Sequence, residues 1–583
     1  MTLSDLIKDK AAAAFTAAGF GGAETLTRPS DRPDIGDYQI NGALAYAKVT
    51  KQNPRVVADA AAAELRKDAF FASVSVDGPG FVNLKIADDA LGKLAPEILG
   101  SGTCGYAPAG APTKIVMDYG GPNVAKILHA GHLPSANLGE AVLRLCRFAG
   151  DVVVGENYLG DWGRPMGLMI EAVREKYPDL PYFDAKATAF PKHPPFTNDD
   201  LIDMYPAASA RIKTDADFLA RARESTRLLQ EGHAGYRALW RQFLDMSVAS
   251  MKKTYDRLGI RFDVWTGESA AYDRALQLAA AWRKDGTLKL DDGAWIIPLD
   301  AAASDAPLPP VIVLNSVGGI TYAASDLATI ARRADQYHPD IIIYSVDARQ
   351  SLHLKQVFDA ARQTGLAPGV SFENFAFGAV CGADRKPFKT RDGGVMPLDT
   401  LIDTAVQSVK ARMDAGEIGR GLTDAEKAAV AEKVGVSALK FAGLINDKTK
   451  DCVLDIDKIT QVEGRTGPYI LYTIVRMKAV LDKVGAAGDK TPVMCAHPAE
   501  RALLLRLYAF PDAVQAAYAN RAPHMLADYV FKLAQDFNLF YHDCPIRDAG
   551  ARTRAARLAL TQYTLRAAQS VADILGLMVP DKM

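Results

Sequence analysis

The sequence predicts a multidomain α/β protein: a small N-terminal α+β module, a parallel α/β domain with a helical insertion, and a C-terminal all-α bundle. Three observations predict it. Short β-branched runs alternate with helical stretches between residues 114 and 365, the order a parallel sheet produces. Residues 201–261 are charged and helical in period, and too long for an ordinary crossover. From Leu398 onward strand signals nearly vanish and apolar residues recur at three and four. A chain of 583 residues also has room for roughly three to four domains.

Taken in order, residues 1–105 form the small module. Leu3, Leu6 and Ile7 share one face of an amphipathic helix, and residues 56–68 have helical spacing. Residues 72–76 and 81–86 alternate around Asp77-Gly78-Pro79-Gly80, a hairpin signal. The Gly/Ala/Pro-rich stretch 105–113 is a linker. Residues 114–119 (KIVMDY) then give a strand ending in Gly120-Gly121-Pro122, a helix runs through Arg147, and residues 151–154 give a second buried strand. The pattern resumes with strand 311–314, helix 325–335, strand 341–346 and helix 351–365. Leu503 and Leu507, then Tyr529, Leu533 and Phe537, then Leu558, Leu565 and Leu575 set the apolar faces of the bundle. The expected domains are 1–105, 106–398 with an insertion at about 176–258, and 399–583.

Composition narrows the function classes. Hydrophobic residues make up 49% and charged residues 23%, which excludes wholesale disorder. The net charge of −1 gives no whole-chain basic field, although residues 453–583 hold 16 Lys and Arg against 13 Asp and Glu. Cys104, Cys146, Cys381, Cys452, Cys495 and Cys544 are scattered without a Cys-x-x-Cys pair. That argues against a structural zinc and a disulfide framework, and fits a reducing, cytoplasmic location. The longest uncharged stretch, residues 306–325, contains Pro307, Pro309 and Pro310, so no membrane span is expected.

The chemistry concentrates in two segments. In residues 122–132 (PNVAKILHAGH), His129 and His132 stand three apart where a strand gives way to a helix. A helix N-terminus offers unpaired N–H groups to an anion, and Gly131 between the histidines lets a flat base approach the backbone. Nucleotide phosphate binding is the favoured reading; a zinc pair or two satisfied histidines remain open. The second segment, residues 382–394 (GADRKPFKTRDGG), carries Arg385, Lys386, Lys389 and Arg391 in a glycine-flanked loop. Such a loop can close over a triphosphate, though a solvated basic loop is the commoner meaning of a charge run.

The segment 118–132 resembles the His-Ile-Gly-His region of class I aminoacyl-tRNA synthetases in their arginyl form. Further matches follow in the family's order: 158–163 (YLGDWG), 255–263 (YDRLGIRFD), 267–269, 322–326 (YAASD), 350–353, 386–391 (KPFKTR), 464–472 (GRTGPYILY), 554–560 (RAARLAL) and the stretch from Leu575 to Met583. The resemblance spans the chain and implies a Rossmann-type catalytic domain that joins arginine to tRNA(Arg) at the expense of ATP. It implies that Asp118, Asn123, Tyr322, Asp326 and Gln350 bind arginine. Carboxylates and amide oxygens grip a planar guanidinium in fixed geometry, which suits that assignment. It implies that Pro122, Asn123, Lys126, His129, Gly131, His132, Gly160, Asp161, His353, Lys386 and Lys389 bind ATP. His129, His132, Lys386 and Lys389 would then stabilise charge in catalysis.

On the same basis Asp37, Tyr38, Gln39 and Asn41 face the tRNA elbow, and Tyr472, Arg476, Tyr541 and Met583 face the anticodon loop. Magnesium arrives with ATP, no zinc is held by the protein, and the family default is a monomer. The sequence also departs from the family. Pro134 stands where arginine is usual, Tyr158 where histidine is common, and Arg164-Pro165 replaces a Thr-Gln pair. Proline is tolerated in a helix's first turn, so Pro134 predicts a helix starting near His132. Arg164 is the candidate to restore the missing positive charge. The alternatives are a class I synthetase for another amino acid and a tRNA-binding relative without catalysis.

Overall fold

The structure is a computed structural model that describes residues 2–108, 110–300, 308–386, 388, 395–488 and 490–583. The chain divides into two compact units. One comprises residues 1–110, 461–574 and 579–583; the other comprises 111–460 and 575–578. The division at 110 falls inside the expected linker.

In the first unit, β1 (Thr27–Pro29), β2 (Tyr38–Ile40), β3 (Phe71–Asp77) and β4 (Phe81–Ile86) form an antiparallel sheet in the order β1-β2-β4-β3. The hairpin predicted around Gly78 joins β3 to β4, with Asp77 opposite Phe81. Helices Leu3–Ala17 and Pro54–Leu65 pack on each other, burying Leu3, Ile7, Phe15, Val57 and Leu65. The same unit holds the helical bundle, including Gly467–Val484, Pro498–Tyr508, Pro523–Asp543 and Ala551–Ile574. Leu503, Leu507, Leu533 and Phe537 are fully buried there, as the period-3.6 spacing requires.

In the second unit the chain forms β5 (Lys114–Asp118), β6 (Val152–Leu159) and β7 (Val264–Gly267). It then forms β8 (Lys289–Asp291), β9 (Ala294–Ile297) and β10 (Val311–Leu314), and returns with β11 (Ile341–Asp347) and β12 (Ser371–Phe377). The five parallel strands lie in the order β12-β11-β5-β6-β7. Chain order departs in opposite directions from β5, so a crevice opens at the carboxyl ends of β5 and β11, where ligands bind in open α/β sheets. The predicted helix after β5 is Leu133–Phe148, with Pro134 in its first turn. The insertion is three helices, Asn198–Arg211, Ala216–Gln230 and Ala234–Arg257.

Two expectations are corrected here. Residues 311–314 form a strand, but β10 lies in a separate antiparallel sheet, β10-β9-β8, rather than in the parallel one. Its apolar face still joins the core beneath the Tyr322–Tyr337 helix, which explains its parallel-strand appearance. Past 398 strand nearly vanishes, as expected: among the described residues β14 (Cys452–Leu454) alone follows, paired in parallel with β13 (Val380–Gly382). The catalytic region was expected to end at 398, yet helices Leu398–Asp414 and Asp424–Leu444 belong to the second unit. Asp424–Leu444 packs against Leu133–Phe148.

Candidate active site

The site begins where β5 ends. Gly120 and Gly121 take φ of 91° and 61°, turning the chain across the sheet edge. Their N–H groups donate to Ser135 Oγ at 2.9 Å and to Asn157 Oδ1 at 3.0 Å. The loop is then stitched to the end of β6: Gly160 N donates to the Pro122 carbonyl at 3.1 Å, and Val124 N to the Gly160 carbonyl at 3.0 Å. A Cβ on Gly160 would lie 2.2 Å from Asn123 Oδ1, so glycine is what lets Asn123 sit there. Lys126 places its ammonium 4.5 Å from the centroid of the Tyr205 ring.

His129 and His132 lie with ring centroids 3.9 Å apart. His129 Nδ1 accepts from Gly131 N at 3.1 Å, and His132 Nδ1 accepts from His129 N at 3.0 Å. An accepting Nδ1 carries no proton, so each neutral ring presents Nε2–H as a donor. Burial, then His129 and nearby Lys126, push His132 down to about 4; burial and Lys126 also lower His129. Both rings are therefore neutral donors at pH 7. The residues that follow the basic loop meet this segment through the backbone. Ala130 N donates to the Met396 carbonyl at 3.0 Å and Leu398 N to the Leu128 carbonyl at 2.8 Å. Lys386 is exposed in a turn where its carbonyl accepts from Gly382 N at 2.8 Å. Lys389 and Arg391 lie outside the described residues.

Across the crevice stands a cluster of acids. Asp118 ends β5 and pairs in register with Glu156 on β6 and Tyr344 on β11. The fully buried Arg333 donates to Asp118 Oδ2 and to Glu156 Oε2, each at 2.7 Å, and Arg332 also bonds Glu156. Burial raises the Asp118 carboxyl; Arg333 opposes this, while Glu156 and Asp326 reinforce it. Burial alone would raise Glu156 as well, but Arg333 and Arg332 prevail and hold it low. Asp326 meets His353 Nε2 at 2.6 Å, and the Tyr322 ring lies 4.6 Å from the His353 ring. Glu268, which opens the helix after β7, is pushed up to about 7 by burial and by the charges of Asp161 and Asp326. Gln350 is exposed on the turn after β11.

Asp161, expected at the nucleotide, is buried against Ser269. Its carboxylate accepts from Ser269 N at 2.9 Å and Ser269 Oγ at 2.6 Å, and it is 1% exposed. It clamps the 160–163 turn to the helix Glu268–Asp285. His353, expected beside the nucleotide, sits on Asp326 instead.

The comparisons agree with this geometry. Residues 96–456 match the catalytic domain of the class I (R) tRNA synthetases, residues 1–86 the arginyl tRNA synthetase N terminal domain, and residues 470–583 the DALR anticodon binding domain. The arginine–tRNA ligase of Hyphomonas neptunium is 40% identical over the full length of both chains. That of Alkaliphilus oremlandii is 39% identical over 98% of this chain and 97% of its own. The chain belongs to the arginyl-tRNA synthetase family. Among solved structures, the Plasmodium falciparum arginyl-tRNA synthetase shares the fold at a TM-score of 0.81 and 20% identity, covering 100% of this chain and 99% of the other. The Thermus thermophilus enzyme does so at 0.77 and 24%, covering both chains completely.

For an arginyl-tRNA synthetase, the residues expected to face tRNA divide into two groups. Asp37 and Tyr38 are engaged with partners inside the protein. Asp37 takes both ends of the Arg501 guanidinium at 2.8 Å and accepts from Ile86 N at 2.7 Å. Tyr38 is 5% exposed, with its hydroxyl 3.1 Å from Ser4 Oγ. Both side chains are thus bonded within the same unit. Gln39 is half-buried between Arg28 and Asn83, and half-buried Asn41 has an Oδ1 without a bond partner. Tyr472, Arg476, Tyr541 and Met583, by contrast, line one groove of about 830 Å³, together with Lys483 and Arg547. Arg476 lies over the Tyr472 ring at 4.7 Å and the Tyr541 ring at 5.5 Å, and donates to Asn538 Oδ1 at 2.6 Å.

Sequence reasoning missed Arg333, Glu156 and Glu268. Arg333 follows Asp326 by seven residues, which puts both on one helix face. Glu268 lies inside the 267–269 match, where only the motif and not the acid drew notice. Among the described residues, no group of three or more His, Cys, Asp or Glu side chains could hold a metal ion, and no helix is long and apolar enough to cross a membrane.

Proposed function

We propose that this protein activates L-arginine with Mg-ATP and transfers it to the 3′-terminal ribose of tRNA(Arg), acting as a cytoplasmic monomer. The observation that carries the reading is that two unlike groups border the end of β5. Asp118, Asp326 and Glu268 form an acidic cluster there; the segment that follows β5 carries the Nε2–H donors of His129 and His132. A substrate cationic at one end and reacting with a polyphosphate at the other fits that polarity.

In this reading Asp326 and Tyr322 receive the guanidinium, with Glu268 beside them, while Asp118, Asn123 and Gln350 hold the amino-acid end. The arginine carboxylate oxygen attacks the α-phosphorus in line, an O–P bond forms, and the bond to pyrophosphate breaks. His129 and His132 donate to the phosphates, with Pro122, Gly131 and Gly160 shaping the backbone and Lys126 adding charge nearby. Lys386 and Lys389 neutralise the departing pyrophosphate, and no side chain acts as a nucleophile. The ribose hydroxyl of tRNA then attacks the carbonyl and releases AMP. The groove at Tyr472 and Arg476 suits unpaired bases, which stack on aromatic and guanidinium planes. Gln39 and Asn41 remain the candidates at the elbow.

Charging of tRNA(Arg) transcript with labelled arginine tests the proposal. Acid-stable arginyl ester that depends on ATP is expected; charging with another amino acid, or none, overturns it.

A further inference from the structure

The Asp326 carboxylate is surrounded by groups that do not neutralise it. Asp118 from β5, Glu268 from the helix after β7, and Tyr158 and Tyr344 from β6 and β11 all feel its charge. Arg333 lies two turns along the same helix but is committed to Asp118 and Glu156, and Arg332 to Glu156. Among the described residues His353 is the side chain bonded to Asp326, at 2.6 Å, with Tyr322 packed over its ring.

Resting on the assignment of Asp326 to the guanidinium, we propose that His353 is a specificity-determining residue. It holds the carboxylate that arginine needs, and arginine binds by replacing the Nε2 hydrogen bond with its own fork. A guanidinium offers two parallel N–H groups to one carboxylate and is weakly hydrated, so it replaces that bond with gain. An ammonium is a strongly hydrated point charge and replaces it with less, and neutral citrulline brings no charge at all. Binding is also coupled to a proton at Glu268, since a guanidinium beside a carboxyl near 7 drives its proton off.

Calorimetric titration of the full chain with arginine, lysine and citrulline at pH 6 and pH 8 tests this. His353→Phe keeps a ring against Tyr322 and removes the nitrogen. In the unmodified protein the arginine dissociation constant is expected to fall as pH rises, by at most about tenfold per unit for each linked proton. His353→Phe should bind arginine at least fivefold tighter and narrow the arginine-to-lysine ratio. The pH dependence should disappear in Glu268→Gln. Unchanged or weaker arginine binding in His353→Phe, an unchanged arginine-to-lysine ratio, or a loss of ATP affinity alone would each overturn the inference. Asp326→Asn separates the two levels. If it loses arginine while His353→Phe leaves arginine affinity and the arginine-to-lysine ratio intact, only this inference falls; if it binds arginine normally, the pocket assignment falls too.

Discussion

Arg333 reaches Asp118 with one arm of its guanidinium and Glu156 with another, each at 2.7 Å, and has no exposed surface. A single buried cation thus sets the positions of acids on two adjacent strands, β5 and β6, directly under the crevice.

Arg333→Met should therefore cost about 3–5 kcal/mol of stability, because it leaves the buried Asp118 without its cation and Glu156 with Arg332 alone. Arg333→Lys should recover little, since a point charge cannot serve both acids at once. Denaturant unfolding with a domain-resolved probe measures the first. Arginine affinity, expected to fall at least tenfold in Arg333→Lys, measures the second.

His132 makes stability depend on acid. Its folded value of about 4 lies below the ordinary 6.5, so the unfolded chain binds the extra proton as pH falls through that window. The contribution is complete above pH 6.5 and is lost between 6.5 and 4, up to roughly 3 kcal/mol. His132→Asn should unfold with a flatter pH dependence across that interval. An unchanged slope would show that the ring is not held neutral.

Gly160→Ala tests the seat of Asn123. The added Cβ would meet Asn123 Oδ1 at 2.2 Å, so the asparagine must move. The arginine KM is expected to rise at least tenfold with thermal stability nearly unchanged, because the clash lies at a surface crevice.

In the C-terminal groove, Tyr472→Ala removes one plane of the stack against Arg476. Stacking is worth about 1–3 kcal/mol per base, so tRNA affinity should drop by roughly 5- to 150-fold. Arginine affinity measured calorimetrically should stay the same. Filter binding of tRNA(Arg) against a non-cognate tRNA reads the effect.

Much of this was legible because motifs and periodicity report local constraints. The β5 strand, the helix opening at His132, the three-helix insertion and the His129–His132 pair followed from short-range pattern. Short β8 and β9 strands carry too few residues for alternation to show, and β10 is apolar enough to pass for a parallel strand. β12 was missed because SFENFAF at the edge of the sheet mixes polar residues into its run. Asp37, Tyr38 and Asp161 show the other limit. A motif marks a residue, and only the structure shows its bonds to Arg501, Ser4 and Ser269. Arg333 was hidden because its partners lie 215 and 177 residues away.

The central claim is that the acidic side of the crevice selects arginine for reaction with ATP. ATP–pyrophosphate exchange with each of the twenty amino acids, run with and without tRNA(Arg), tests it most directly. Exchange with arginine alone, severely reduced in Asp326→Asn, is the predicted result. Exchange driven by a different amino acid, or arginine exchange indifferent to Asp326→Asn, would contradict it.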